Sequence, residues 1–569
     1  LTGAKKADVF ARFLLAQLHL DSLVGKRSPK AVYTALNKLE EHRFSMRKLS
    51  TASEAYDTAY DEAMSRIKGE VEDARQLAEQ VISWVALACR PLTTLELLHA
   101  LAIEIGESKF DDTNISDVED IVSACAGLVT IDEESNVIRL VHYTTQEYFE
   151  RTQKQWFPGA QASIALSCLT CLSYDDFEVG PCPTDAEFDA RFNKHALYDY
   201  VARNWGNHAR PASADIENEV LTFIKSKSKL AASVQAMAIQ PVRFPRARKH
   251  GYSYTQYAIK EMAEIHVGAL FGLERVVTTL LNEGYAADSR CSNGRTPLSF
   301  AAEKGHEEVV RILLAVTNVN PDSKADHSTY DGERTPLSFA AESGNTEIVK
   351  LLLATGCVNI NSSTSGKFSR GRTPLSFAAG KGHVEVVKQL LTVDLIDADG
   401  KSTLGQSPLF FAAGGGHTVV VQLLLATGDV DADSMDNGGF TPLANAAVNG
   451  YSSIVKQLID TGVVNLNSKT TEDYCCGFTP LMWAAGAGYE PVVELLLATE
   501  KVDVNSRCEM DGQTALMMAV KEEEEAVAKM LLETGNADVT VADNKGLTAL
   551  DYASEKGLST IVKLLQQNL

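Results

Sequence analysis

Two rhythms of apolar residues divide this chain. Up to about residue 239 they recur at helical spacing in segments of unequal length, and from residue 263 a short apolar block returns at near-regular intervals. In the front part Val9, Phe10, Phe13, Leu14 and Leu18 mark an amphipathic helix, with a second one after Ser28-Pro29, inside residues 7–39. Residues 40–53 have no apolar period and read as a loop. A helix is predicted from about Ala55, and another through Leu77, Val81, Ile82, Trp84, Val85 and Leu87 to Cys89. Arg90-Pro91-Leu92-Thr93 stops the latter and caps the next helix, TLELLHALAIEIG. Residues 114–126 give a further capped helix. Gly127 then releases the chain into two β-rich runs, 128–131 and 137–141, around a turn at residues 134–136. Helices followed by such a hairpin make a winged helix. From Gln146 the pattern is helical again, with Tyr148, Phe149, Trp156, Phe157, Tyr198, Tyr200 and Trp205 expected to fill a core rather than hold a cofactor.

The returning block reads TPLSFAAEKGH from Thr296, TPLSFAAESGN from Thr335, TPLSFAAGKGH from Thr373 and SPLFFAAGGGH from Ser407. It continues as TPLANAAVNGY from Thr441, TPLMWAAGAGY from Thr479, TALMMAVKEEE from Thr514 and TALDYASEKGL from Thr548, with a degenerate AEIHVGALFGL from Ala263 in front. Starts lie 33–39 residues apart. Wording and period resemble the ankyrin repeat. Thr caps a first helix, and Pro at its first position lacks an N–H that would have gone unpaired. The Ala pair lets neighbours approach, and glycine reverses the chain into a second helix. One such pair of helices cannot cover its own apolar side; a stack can.

The expected fold class is therefore mainly α: an N-terminal helical and winged-helix region, then an ankyrin-type solenoid with loop fingers. The expected divisions are 1–53 (leading helices), 54–155 (winged helix), 156–239 (helical extension), 240–262 (linker) and 263–569 (nine repeats). The linker carries two prolines and five basic groups, Arg243, Arg246, Arg248, Lys249 and His250. A nuclear-import reading of that run is opposed by its shortness and its proline split.

A solenoid offers a long concave face, whose default use is to hold another protein. The residue before each Thr and the two after the Ala pair are expected to point there: Arg295, Glu303 and Lys304; Arg334, Glu342 and Ser343; Arg372, Gly380 and Lys381. Further along, the same positions hold Gln406, Gly414 and Gly415; Phe440, Val448 and Asn449; Phe478, Gly486 and Ala487. The early repeats thus present charge and the later ones small residues and two phenylalanines. Phe440 and Phe478, with Tyr474 at a loop tip, either anchor a partner or fold down onto their own loops. Ser299, Ser338 and Ser376 stand where the usual unit has His, so those junctions are expected to rest on serine hydroxyls or packing alone. Glu523 replaces a turn glycine, and the glutamate run 522–525 is expected to open a helix, where the dipole favours acids.

Composition narrows function further. A net charge of −22 opposes nucleic-acid binding. The predicted recognition helix shows Asp117, Glu119 and Asp120 and the wing Asp132, Glu133 and Glu134, each the wrong sign for phosphate. No run of 18 apolar residues occurs, and no leader opens the chain, so no membrane span and an intracellular, cytoplasmic address are expected. Cys168, Cys171 and Cys182 would need a fourth zinc ligand, with His142 or His195 as suppliers. The first two share an apolar helix face and read as buried small hydrophobes. Gly25-Lys26-Arg27-Ser28 and Gly400-Lys401-Ser402 both fail as phosphate loops, one by Arg27 and the other by Leu395 in place of glycine. G-x-S-x-G and H-E-x-x-H are absent. No catalytic residue, metal or cofactor is expected.

The strings ISWVALACRPLTTLELLHALAIE, VEDIVSACAGLVTIDEESNVIRLVHYTTQEYFERTQ and LYDYVARNWGNHAR resemble the region between the NACHT module and the ankyrin array of fungal NACHT–ankyrin proteins, signal-transducing ATPases. That region bears the name GPI inositol-deacylase winged helix. The resemblance implies that residues 7–39 close a NACHT-associated module and that the nucleotide site lies upstream of Leu1. The expected role is a non-enzymatic sensor coupled to that module. The alternatives are the targeting part of an enzyme whose catalytic domain precedes Leu1, or a free-standing scaffold.

Overall fold

The computed structural model describes residues 52–239, 262–327, 332–366, 370–471 and 475–569. The leading helices predicted within 7–39, nearly all of the loop and linker that follow them in the prediction, and Tyr474 lie outside these residues. The chain falls into two compact units, Leu1–Tyr285 and Ala286–Leu569.

The described part of the first unit begins with α1 (Ala52–Lys68) and α2 (Glu72–Leu87), followed by β1 (Leu92–Thr93) and α3 (Thr94–Leu101). Thr93 accepts from the Glu96 N–H while Glu96 returns the bond to Thr93, a reciprocal cap that starts α3 sharply. α4 (Val118–Ala124) leads to β2 (Val129–Asp132) and β3 (Val137–Leu140). All three strands form one antiparallel sheet in the order β1-β3-β2, with Leu92 opposite Ile138 and Val129 opposite Leu140. This is the predicted hairpin with one strand more than predicted, since Leu92–Thr93 was expected only to stop and cap helices. α3 and α4 are also shorter than expected.

α5 (Tyr143–Trp156), α6 (Ala160–Leu172), α7 (Asp185–Lys194), α8 (Tyr198–Ala209), α9 (Glu217–Lys225) and α10 (Lys227–Ala238) complete the helical part. No seam falls at residue 155. Arg90 bonds Glu96 at 2.6 Å and Asp199 on α8 at 3.3 Å, and Arg203 binds the other oxygen of Asp199 at 2.6 Å while reaching carbonyls at the end of α10. Tyr148, Phe149, Tyr198, Tyr200 and Trp205 are fully buried and Trp156 and Phe157 nearly so, packed ring against ring. The degenerate helix pair, α11 (Glu264–Phe271) and α12 (Glu274–Asn282), belongs to this unit. Phe271 packs on Trp205 at 4.9 Å and sits over Gly206 so closely that a Cβ there would meet its ring at 2.1 Å. Glu217 binds Arg275 at 2.7 Å, which fixes α12 against α9.

Among the described residues the second unit holds eight helix pairs. First helices are α13 (Pro297–Lys304), α15 (Pro336–Ser343), α17 (Pro374–Lys381), α19 (Pro408–Gly414), α21 (Pro442–Val448), α23 (Pro480–Gly486), α25 (Ala515–Lys521) and α27 (Ala549–Glu555). Second helices are α14 (Glu307–Leu314), α16 (Thr346–Ala354), α18 (Val384–Leu391), α20 (Thr418–Leu425), α22 (Ser452–Asp460), α24 (Glu490–Leu497), α26 (Glu525–Glu533) and α28 (Ser559–Gln567). Each Thr or Ser start accepts from the N–H three residues on, as at Thr296 and Ser407. Buried Val–Val or Ile–Val pairs such as Val309-Val310 and Ile348-Val349 form the core between layers.

The junctions are held differently from the expectation. Ser338 donates to the Thr335 carbonyl at 2.7 Å and accepts from the Thr335 N–H at 3.0 Å, so its hydroxyl closes its own cap and not a junction; Ser376 does the same. Successive fingers are joined by backbone bonds instead: Asp326 N–H to Asn293 O, Thr403 to Arg370, Asn437 to Leu404, Thr471 to Gly438 and Asn544 to Asp511, all 2.8–2.9 Å. A second tie sits at the turns. His383 Nε2 donates to the Glu342 carbonyl at 2.8 Å, and its ring lies where a Cβ on Gly344 (φ +77°) would stand, 2.6 Å from Nδ1. Glycine is needed there for both backbone angle and room. The glutamate run also behaves otherwise than expected. Glu522 ends α25, Glu523 occupies the left-handed turn at φ +66°, and only Glu525 enters α26.

Candidate functional site

One column of side chains runs along the first-helix face of the second unit, and it absorbs most of the residues predicted to meet a partner. The guanidinium of Arg295 lies 4.0 Å from the ring centres of Phe300 in its own repeat and Phe339 in the next. Arg334 lies in the same way between Phe339 (4.0 Å) and Phe377 (4.5 Å), and Arg372 between Phe377 (4.4 Å) and Phe411 (4.0 Å). Desolvated contacts of this kind reach about 2 kcal/mol each. Arg295 and Arg334 are 7% and 9% exposed and pair with Glu303 at 2.5 Å and Glu342 at 2.6 Å. They are turned inward, where the expectation had them presenting charge. Burial pushes the Glu303 carboxyl up, but Arg295 and Lys304 outweigh it and hold the group below its ordinary value.

Beyond Phe411 the column changes chemistry. Asn445 takes the phenylalanine position and donates to the Phe410 carbonyl at 3.1 Å, and then Trp483 takes it. The Phe440 ring lies 5.8 Å from the Trp483 ring and the Phe478 ring 4.9 Å from it. All three are half-buried. The phenylalanines therefore fold neither onto their own loops nor freely outward; they grip a tryptophan that sequence reasoning passed over. Its indole N–H is buried without a hydrogen-bond partner. Three residues on, Gly486 lies against Met518, whose Cβ would be 3.7 Å from a Cβ there, and Ala487 is exposed. Val448 is half-buried nearby in sequence, and Asn449 is exposed and donates to the Asn445 carbonyl at 2.8 Å. Tyr474, outside the described residues, takes no place in this account.

The chain matches the family described as ankyrin repeats (3 copies) in overlapping stretches that together run from residue 265 to 568. It belongs to the ankyrin-repeat family. Residues 64–166 match the family described as GPI inositol-deacylase, winged helix domain, the stretch in which the three-stranded sheet lies. The ankyrin match begins inside the first compact unit, at the α11–α12 pair.

Other groups with chemical potential are committed elsewhere. Cys89 approaches His208 at 3.8 Å, the pair from which a thiolate nucleophile is built. Burial raises the thiol and pulls His208 down to about 4, so both are neutral near pH 7, and His208 is held by Tyr200 and Gln161. Cys168 and Cys171 are buried in α6, and the backbone of Cys182 exchanges two bonds with Gln235. His195 binds Asp176 at 2.9 Å and His142 caps α5. Among the described residues no group of three or more His, Cys, Asp or Glu is placed to hold a metal, and no helix is long and apolar enough to cross a membrane. On the winged helix, Asp117, Glu119, Asp120, Glu133 and Glu134 are exposed, and Asp132 pairs with Arg139 at 3.2 Å.

Proposed function

We propose that this chain holds a protein partner on the first-helix face of its ankyrin array, anchored at Phe440, Trp483 and Phe478, and performs no covalent chemistry of its own. The observation that carries the reading is Trp483, half-buried, held in ring contact with two phenylalanines and keeping an indole N–H without a hydrogen-bond partner. Pre-ordered aromatic groups of this kind supply most of the binding energy at protein interfaces. The order of the two family matches supports a second part. The array is the sensing end of a signalling receptor, and the winged-helix unit couples it to a NACHT-type nucleotide-binding module upstream in the full-length protein.

The test places a photo-crosslinking residue at Ala487 and, as control, at Lys529 on the exposed side of α26. Crosslinks to a partner should form from the first position and not the second. Trp483→Ala should then weaken that partner by more than about 2 kcal/mol, roughly 30-fold, with an unchanged melting curve. An unaltered affinity would remove the anchor.

A further inference from the structure

The arginine column contains one break in its charge pairing. Glu303 and Glu342 stand eight residues after Arg295 and Arg334 and neutralise them, but the position eight after Arg372 is Gly380. Arg372 keeps a bond from Nη2 to the Ser376 carbonyl at 2.6 Å and its two ring contacts, and no carboxylate among the described residues reaches it. Glu342, the acidic group that acts on it from the preceding repeat, is already bound to Arg334. Burial accordingly pulls Arg372 down to about 10, against the opposing charge of Glu342. Gly380 puts no side chain over the guanidinium, whereas the places beside Gly414 and Gly415 are taken by Asn445 and His417. A Cβ on Gly380 would come within 2.8 Å of Nη2, which places the guanidinium directly beside that glycine.

We infer that Arg372 is a receptor for a carboxylate side chain of the protein partner, which enters over Gly380 and completes the ion pair that Glu303 and Glu342 make internally. This rests on the proposed use of the first-helix face for protein binding. Charge complementarity selects the occupant: a planar guanidinium held between two rings binds a carboxylate through paired N–H groups. The site also sets a ruler. Arg372 lies between α17 and α19, and Trp483 is on α23, two and a half helix spacings away. At 8–10 Å per spacing that is about 20–25 Å, the span of about six to eight residues of extended chain.

The experiment selects random 14-residue peptides, amidated at the C-terminus, by display against the full chain. Enriched peptides are measured by fluorescence anisotropy against the wild type and against Arg372→Met, Gly380→Glu and Trp483→Ala. We expect an Asp or Glu fixed about six to eight residues from an apolar anchor. Arg372→Met and Gly380→Glu should each weaken those peptides about tenfold or more, the second by placing a resident carboxylate on Arg372. Peptides with Gln at the acidic position should bind all three arginine-site proteins alike. If Phe411, 3.3 Å from the new Cβ, prevents Gly380→Glu from folding, Arg372→Met alone decides. Enriched peptides that lose affinity in Trp483→Ala but not in Arg372→Met overturn this inference and leave the anchor standing. A pool with no enrichment overturns both.

Discussion

Replacing Asp399 by asparagine should make the array more stable at neutral pH, and its neighbours say why. One position in each of the first seven fingers holds Asp or Asn: Asp288, Asp322, Asn361, Asp399, Asp433, Asn467 and Asn505. Its oxygen faces a backbone N–H of the next finger, from Asp397 to Asn361 at 2.9 Å, from Asn465 to Asp433 at 3.0 Å and from Asp503 to Asn467 at 2.8 Å. Where the residue is asparagine, Nδ2 also donates to a carbonyl of that finger: Leu395 at 2.7 Å, Lys501 at 3.0 Å and Asn536 at 2.8 Å. A carboxylate has no hydrogen to give. Asp322 and Asp399 each keep a buried oxygen without a partner, and burial raises both carboxyls above their ordinary value; at Asp399 the charges of Asp431 and Asp397 add to this against Lys401.

Asp399→Asn exchanges an unsatisfied oxygen for one neutral hydrogen bond, about 1 kcal/mol, or about 2–4 °C in melting temperature for a unit of this size. Asp322 is two fingers away, so the double substitution should give nearly the sum. The pH dependence has a definite sign. A carboxyl whose folded pKa is raised contributes stability fully below its unfolded pKa, near 4, and loses it as pH rises through the folded value. Wild type should therefore approach the variant at pH 4, where the protonated acid can donate, and fall behind it at pH 7.5. Asn467→Asp should show the mirror image, with a loss of about 1 kcal/mol at pH 7.5 that shrinks toward acid. Urea unfolding at both pH values measures this. A variant no more stable at pH 7.5, or a gap of equal size at pH 4, would refute the reasoning.

Two further outcomes follow from the packing. Glu523→Gly should stabilise the C-terminal pairs by about 1 kcal/mol, because a left-handed non-glycine costs about 1–2 kcal/mol, while the lost Glu523–Lys556 pair (2.9 Å) is solvent-exposed and contributes little. Amide exchange in α25–α28 should slow, and faster exchange would show the ion pair to dominate. Gly206→Ala should destabilise the first unit by about 1–3 kcal/mol, since its Cβ would fall 2.1 Å from Phe271. Restoration by the added substitution Phe271→Leu would show that the clash, and not helix chemistry, is the cause.

The sequence made legible whatever is decided within one repeat. Thr296-Pro297 and its copies announce the caps, the glycines announce the turns, and the runs at 128–131 and 137–141 announce the hairpin, because each depends on residues a few places apart. What it hid depends on a neighbour in space. β1 is two residues long and exists only because Ile138 and Val137 lie opposite it. Arg295 before a Thr reads as surface charge until Phe339, 44 residues on, is seen to cover it. A signal was present nonetheless: RTPLSF occurs three times verbatim, so arginine and phenylalanine keep company at a fixed distance. Trp483 could have been found by the same rule, as the residue that takes the phenylalanine position where phenylalanine has taken the arginine position.

That exchange explains how one column can serve two purposes. An Arg between two Phe is paired within the chain: its charge meets Glu303 or Glu342 and its faces meet rings. Such a stretch stiffens the early repeats against each other. At Arg372 the carboxylate disappears, at Gln406 the cation does, and at Phe440, Phe478 and Trp483 the column is aromatic and half-buried before Gln513 and Met518 close it again. Satisfied contacts contribute to folding, and unsatisfied ones remain for association. The face therefore varies along its length, with its unpaired charge and its half-buried tryptophan about 20–25 Å apart in the stretch where internal compensation lapses. A partner reading both would need an acid and an apolar anchor in one extended segment, in that fixed order, and neither end alone would reproduce its affinity.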